Sequence, residues 1–284
     1  MSDTSGTVIT PPKRRAPPGT VDCHMHIFGP TGLYPYGSQR SYTPPEALMP
    51  AYQNMCETVG IDRTVVVHPS VYGNDNSCSA DAVTQMRENA RGVCVIDMSA
   101  SDADIRALHD KGFRGVRFNI VSGGGTAVDE LEAIAARIAQ FDWHIQLYVK
   151  AEFIYELEER LLDLPLDIVI DHLGGPEADG GIEQLGFQSL LRLLQANKAW
   201  VKLSGAYRTD SGDSPWPASD PFARALVATR ADRCVFGSDW PHPSLSGPMP
   251  DDGKLFDKLC SWCDEDESLI EQICVRNPVR LYGF

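Results

Sequence analysis

Short apolar, β-branched runs recur along the chain at 21–27, 64–70, 92–98, 115–120, 144–149, 167–173, 199–204 and 233–239. Between them lie stretches with helical period, such as Leu131, Ile134, Ile138 and Phe141, or the run from Phe153 to Leu162. Regular alternation of strand and helix implies parallel strands covered by helices. Eight such repeats predict a closed α/β barrel, the (β/α)8 or TIM barrel, which takes about 250 residues. A doubly wound open sheet would place a glycine-rich turn after its first strand. After Ile27 the chain instead enters a long loop rich in Pro, Tyr and Gly.

Long loops follow the first strand (28–45), the seventh (206–222) and the eighth (240–253). All three fall on the face where barrel enzymes build their sites. The run Gly123-Gly124-Gly125 has no Lys-Ser/Thr after it and reads as a lid hinge rather than a phosphate cradle. Residues 1–19 are rich in Ser, Thr, Pro and Lys/Arg and lack the apolar stretch of a secretory signal. They predict a flexible N-terminal arm ahead of one catalytic domain over 20–284, in a cytoplasmic protein.

Composition narrows the partners. A formal net charge of −14 opposes nucleic acid and anionic membranes, both of which call for a basic face. No segment reaches the roughly 20 apolar residues of a membrane span. The eight cysteines are scattered, several inside apolar runs where Cys acts as a small buried hydrophobe, which suits a reducing compartment. Cys260 and Cys263 form a lone C-x-x-C without a second pair at zinc spacing, and read as neighbours on a helix. Oligomeric state leaves no mark in the sequence.

The chemistry gathers at strand ends. His24 and His26 flank Met25 in the first strand, and a period of two sends both imidazoles to the same side. Asp171-His172 closes the sixth strand before Gly174-Gly175-Pro176, and Gly237-Ser238-Asp239 closes the eighth before Trp240-Pro241-His242. A single histidine is more often a satisfied core residue, but several polar groups at one rim point to a site.

The set His24, His26, His172 and Asp239 resembles the amidohydrolase superfamily. More narrowly, DCHMHIFGP, YPYGSQRSYTPP, RGVRFN, DH with LGGP, GSDWPHPSL, MPDDG and NPVRLY are similar to the branch of 2-pyrone-4,6-dicarboxylate hydrolases and related lactone enzymes. The resemblance runs nearly end to end. It implies hydrolysis of the ester bond of a small anionic lactone, of the kind met in aromatic-compound catabolism. The fuller metal sites of the superfamily add a carboxylate ligand and a further histidine. Here the fifth strand offers Tyr148 and the seventh Lys202 and Ser204, so a two-metal centre is not expected. His24, His26, His172 and Asp239 suit one divalent metal, Zn²⁺ first, with a position open for water. The branch also implies hydrolysis with no metal, and both cases stand.

In either case Asp239 is the expected general base for the attacking water, with His24, His26, His172 and the Tyr148 hydroxyl as electrophiles for the oxyanion. Arg117 and Arg208 match positions that the branch uses for substrate carboxylates, and a guanidinium pairs with such groups at two points. A third arginine of that branch is missing, since 118–125 hold no basic side chain. That departure favours a substrate with one anionic group fewer, or of another shape. Tyr42 resembles a branch tyrosine near the substrate, and His68, Tyr72 and Asn76 are candidates to line the pocket. The rivals are a lactone isomerase or sugar-lactone hydrolase of the same branch, a metal-dependent decarboxylase of the superfamily, and a non-catalytic binding barrel. A serine-triad esterase is excluded by the lack of any G-x-S-x-G.

Overall fold

The computed structural model describes residues 9–284 apart from 39, 123–125 and 246–248. The expected lid hinge at Gly123-Gly124-Gly125 therefore lies outside the described residues. Eight strands run in chain order around one parallel sheet: β1 (Val21–Met25), β2 (Arg63–Val67), β3 (Ala90–Cys94), β4 (Phe113–Asn119), β5 (His144–Tyr148), β6 (Ile168–Ile170), β7 (Ala199–Leu203) and β8 (Cys234–Phe236). The ends of the sheet meet through backbone bonds from Asp239 N to His24 O (2.8 Å) and from His26 N to Trp240 O (2.9 Å). A Cβ at Gly237 would come within 2.8 Å of the His24 Cβ, so this closure requires glycine there.

Helices fill the intervals as the apolar periods predict: α1 (Met49–Val59), α2 (Ser77–Met86), α3 (Asp102–Asp110), α4 (Leu131–Ile138), α5 (Ala151–Asp163) and α6 (Leu185–Gln195). They are followed by the short α7 (Ala206–Thr209), α8 (Asp220–Arg230), α9 (Asp252–Trp262), α10 (Glu267–Glu271) and α11 (Asn277–Tyr282). In α5, Ile154, Leu157 and Leu161 form one buried stripe while Glu156 and Glu159 face water. A capping box closes the start of α3, where Ser101 and Asp104 bond each other's backbone N–H.

Two apolar layers hold the barrel. Val21, Cys23, Val65, Val67, Val93, Val169, Trp200 and Val235 pack inside it, joined from below by Tyr282 of α11. The outward strand residues, such as Val66, Ile145, Ile170 and Val201, pack beneath the helices. Residues 9–19 lie along the seam. Thr10 bonds Asp251, Lys13 N bonds Asp257, Arg15 bonds the Glu57 carbonyl, and Ala16 is buried.

Candidate active site

The sixth and eighth strands stop short of the predicted runs because the chain leaves the ladder to aim side chains. His172 and Asp239 both take left-handed backbone, at φ 50° and 64°, a conformation that costs a non-glycine residue on the order of 1 kcal/mol and clusters at functional sites. In β1 the register slips between Asp22 and Met25. This bulge lets Cys23 face the barrel interior while the next residue, His24, also turns inward.

His24, His26, His172 and Asp239 come together. The Nε2 atoms of all three imidazoles lie 3.8 Å from Asp239 Oδ1, and His24 Nε2 is 3.2 Å from His26 Nε2. All four side chains are buried. Asp239 Oδ2 takes hydrogen bonds from the Tyr207 hydroxyl and Arg208 Nε, both at 2.6 Å. Oδ1 has no hydrogen-bond partner among the described residues. Burial pushes the Asp239 carboxyl up, but the Arg208 guanidinium beside it leads the charges that outweigh burial and hold it well below the usual carboxylate range. Burial also drives the imidazoles toward neutrality, His26 to about 3 and His172 to about 4. His26 Nδ1 donates to the Val67 carbonyl (2.7 Å), and His172 Nδ1 pairs with Ser204 Oγ (2.9 Å).

A second polar layer lies one step deeper. Lys202 Nζ donates to Gln146 Oε1 (2.7 Å) and contacts His24 Nδ1 (3.2 Å) and Asp171 Oδ1 (3.3 Å). Asp171 Oδ2 accepts from Gln146 Nε2 (3.1 Å) and Arg117 Nη2 (3.3 Å). Burial favours the neutral acid of Asp171, yet Lys202, His24 and Arg117 together hold the carboxyl well below its ordinary range.

The expected substrate residues separate. Arg208 Nη1 reaches the Tyr148 hydroxyl at 3.4 Å, and the two line a cavity of about 580 Å³ with His172, Lys150, Val121 and Asp210. Arg117 is committed inward, to Asp171 and to the His68 carbonyl (3.3 Å). Tyr42 is half-buried, and burial pushes its hydroxyl above the ordinary tyrosine value against the pull of Arg117 and Arg208. His68 and Asn76 are not brought to the reaction centre. His68 spends Nε2 on the Gly73 carbonyl (2.8 Å) and Nδ1 on Ser79 Oγ (3.2 Å). Asn76 binds the Val95 backbone in both directions, at 2.7 and 3.0 Å. Tyr207 and Gln146 join the site unforeseen and Asp171, noted at its strand end, turns out to sit in the layer behind it, although inward register marks Gln146 and Lys202 as partners of Tyr148 and Ser204.

A donor set of three imidazole nitrogens and one carboxylate oxygen is of the kind that holds Zn²⁺. Ligands about 2.0–2.1 Å from a tetrahedral zinc stand about 3.4 Å apart, between the 3.2 and 3.8 Å separations among His24, His26 and Asp239, and His172 Nε2 stands 3.8 Å from Asp239. The buried, unpartnered Asp239 Oδ1 is the atom that a cation would satisfy. Among the described residues, His24, His26 and Asp239 form one such cluster, and His24, Asp171 and His172 another.

The chain resembles known proteins over nearly its whole length. The chain is 37% identical to a 4-sulfomuconolactone hydrolase of Rhizobium radiobacter, over 94% of this chain and 91% of the relative. It is 36% identical to a 2-pyrone-4,6-dicarboxylate hydrolase of Comamonas testosteroni, over 95% and 92%. A solved Agrobacterium tumefaciens protein, crystallised in its apo state, superposes with a TM-score of 0.86 at 28% identity, covering 96% of this chain and 98% of that one. The amidohydrolase family matches residues 21–284, and with the barrel and the clustered histidines in place, the chain belongs to that family.

Proposed function

We propose that the protein hydrolyses the ester bond of a small anionic lactone, with Asp239 as general base. The observation that carries this reading is Asp239 Oδ1, buried, unpartnered and faced by three imidazoles beside an open cavity. The family's named lactone hydrolases at 36 and 37% identity support it. Because Oδ2 is saturated by Tyr207 and Arg208, Oδ1 takes the proton as water adds to the lactone carbonyl. A carboxyl held so low is a weak base, so it passes that proton on to the departing ring oxygen when the tetrahedral intermediate collapses. The Tyr148 hydroxyl and the Arg208 edge stand at the cavity wall, where they cover developing oxyanion charge or the substrate's anionic group.

Lys202, Arg117 and Arg208 stand around the imidazoles and their two aspartates, and Arg208 also lines the cavity, where its guanidinium suits an anionic group. A divalent cation held by His24, His26, His172 and Asp239 would polarise the carbonyl and acidify the attacking water. We place the enzyme in the cytoplasm, where its eight cysteines, all free, stay reduced.

The test is acid release in weak buffer from muconolactones bearing carboxylate or sulfonate, pyrone dicarboxylate and aldonolactones, with metal-stripped and Zn²⁺-loaded protein. Release from at least one lactone is expected, falling about 10²–10⁴-fold in Asp239→Asn. Conversion to an isomer without acid release, or no reaction with any lactone, overturns the reading.

A further inference from the structure

His24 is held from both ends, and its surroundings fix where its single ring proton sits. At one end a carbonyl can only accept, so the bond from His26 Nδ1 to Val67 O (2.7 Å) places the His26 proton on Nδ1. His26 Nε2 is then a bare acceptor, and the 3.2 Å contact with His24 Nε2 favours a hydrogen on His24 Nε2. At the other end Lys202 Nζ, which can only donate as an ammonium, approaches His24 Nδ1 at 3.2 Å. Both ends call for the same tautomer, with Nε2–H facing the reaction centre and a bare Nδ1 facing Lys202.

A rival acceptor waits beside Nδ1. Asp171 Oδ1 lies 3.2 Å from it, buried, and takes no hydrogen bond from the described residues in this arrangement. If the proton moved to Nδ1, Asp171 would receive it in a hydrogen bond, and the Nε2 lone pair would turn free toward Asp239. That second tautomer is the one a metal ligand needs, since a ring nitrogen cannot bear a proton and bind a cation together.

We propose that Lys202 and Asp171 compete for His24 Nδ1 and thereby select between two states of one site: a metal-free state in which His24 is an Nε2–H donor, and a metal-holding state in which it is a ligand. Gln146, bonded to Lys202 and to Asp171, keeps both competitors in place. Lys202 is thus a positioning residue that weakens cation binding without touching the cation. The inference rests on the proposed place of His24 at the reaction centre, but its signals need no turnover, so a protein inactive on lactones would leave them readable.

The experiment is ¹⁵N NMR of metal-stripped, histidine-labelled full-length protein, in which protonated and bare ring nitrogens resonate apart, with His24 assigned by the signal lost in His24→Gln. Zinc affinity is measured alongside by calorimetry. Wild type is expected as Nε2–H. Lys202→Met is expected to shift to Nδ1–H and to bind Zn²⁺ about 10–100-fold more tightly, the range that partners behind a ligand command. Asp171→Asn is expected to remain Nε2–H and to bind more weakly by a similar factor. If Lys202→Met does not fold, the wild-type spectrum and Asp171→Asn carry the test. An Nδ1–H His24 in the metal-free wild type, or a Lys202→Met protein with unchanged tautomer or unchanged zinc affinity, overturns the proposal.

Discussion

Tyr207 shows how much at the residue scale depends on groups behind the reacting atoms. Its hydroxyl donates to Asp239 Oδ2 and also meets His242 Nδ1 at 3.0 Å, so it fixes which carboxylate oxygen remains open. A hydrogen bond to a charged group is worth about 1.5–3 kcal/mol. Tyr207→Phe is therefore expected to lower kcat/KM about 10–100-fold with lactone KM little changed, read from steady-state kinetics. The four residues around the open oxygen were legible in the sequence because His and Asp at strand ends stand out against apolar strands. Tyr207 was not, because Tyr207 and Arg208 share one helical turn and nothing in their order says that both reach Asp239. Gln146 and Lys202 left a weaker trace, as polar residues at inward positions of β5 and β7 that an alternation count marks but cannot pair.

At the scale of elements, apolar period and turn residues placed all eight strands, while their ends followed rules the runs do not carry. The predicted 167–173 and 233–239 shrink to Ile168–Ile170 and Cys234–Phe236, since left-handed backbone at His172 and Asp239 cannot stay in a ladder. The loop after β2 misleads in another way. His68 and Asn76 are the residue types that bind ligands, yet His68 is consumed by Gly73 of its own loop and Ser79 of α2, and Asn76 in fixing that loop to Val95, just past β3. Asn76→Ala is expected to lower stability by about 1–3 kcal/mol through the two Val95 backbone groups left behind, with lactone KM unchanged. Denaturant midpoints and kinetics on the folded fraction check both parts, and a raised KM at unchanged stability would return Asn76 to the substrate.

For the whole molecule, the buried imidazoles set the response to acid. Burial depresses His26 and His144 to about 3, His68 and His172 to about 4, and His24 well below its ordinary 6.5. Their folded values lie under the unfolded 6.5, so their contribution is complete above that pH and is lost as pH falls toward the folded values, at about 1.4 kcal/mol per proton per pH unit. Asp22 acts oppositely. Burial raises it to about 6, so its contribution is complete below 3.8 and lost as pH rises to about 6. Several imidazoles outweigh one carboxyl, and urea midpoints are expected to drop steadily from pH 7 to pH 5; a flat profile would mean that these histidines are already charged in the fold. The backbone bonds from Asp239 to His24 and from His26 to Trp240 add a constraint in time. They join the first strand to the last, so His24 and His26 on one side of the seam and Asp239 on the other are strangers until synthesis has passed residue 240. A ribosome-bound chain stopped before β8 has no reaction centre to protect, and any probe of that centre doubles as a clock for the moment the ring shuts.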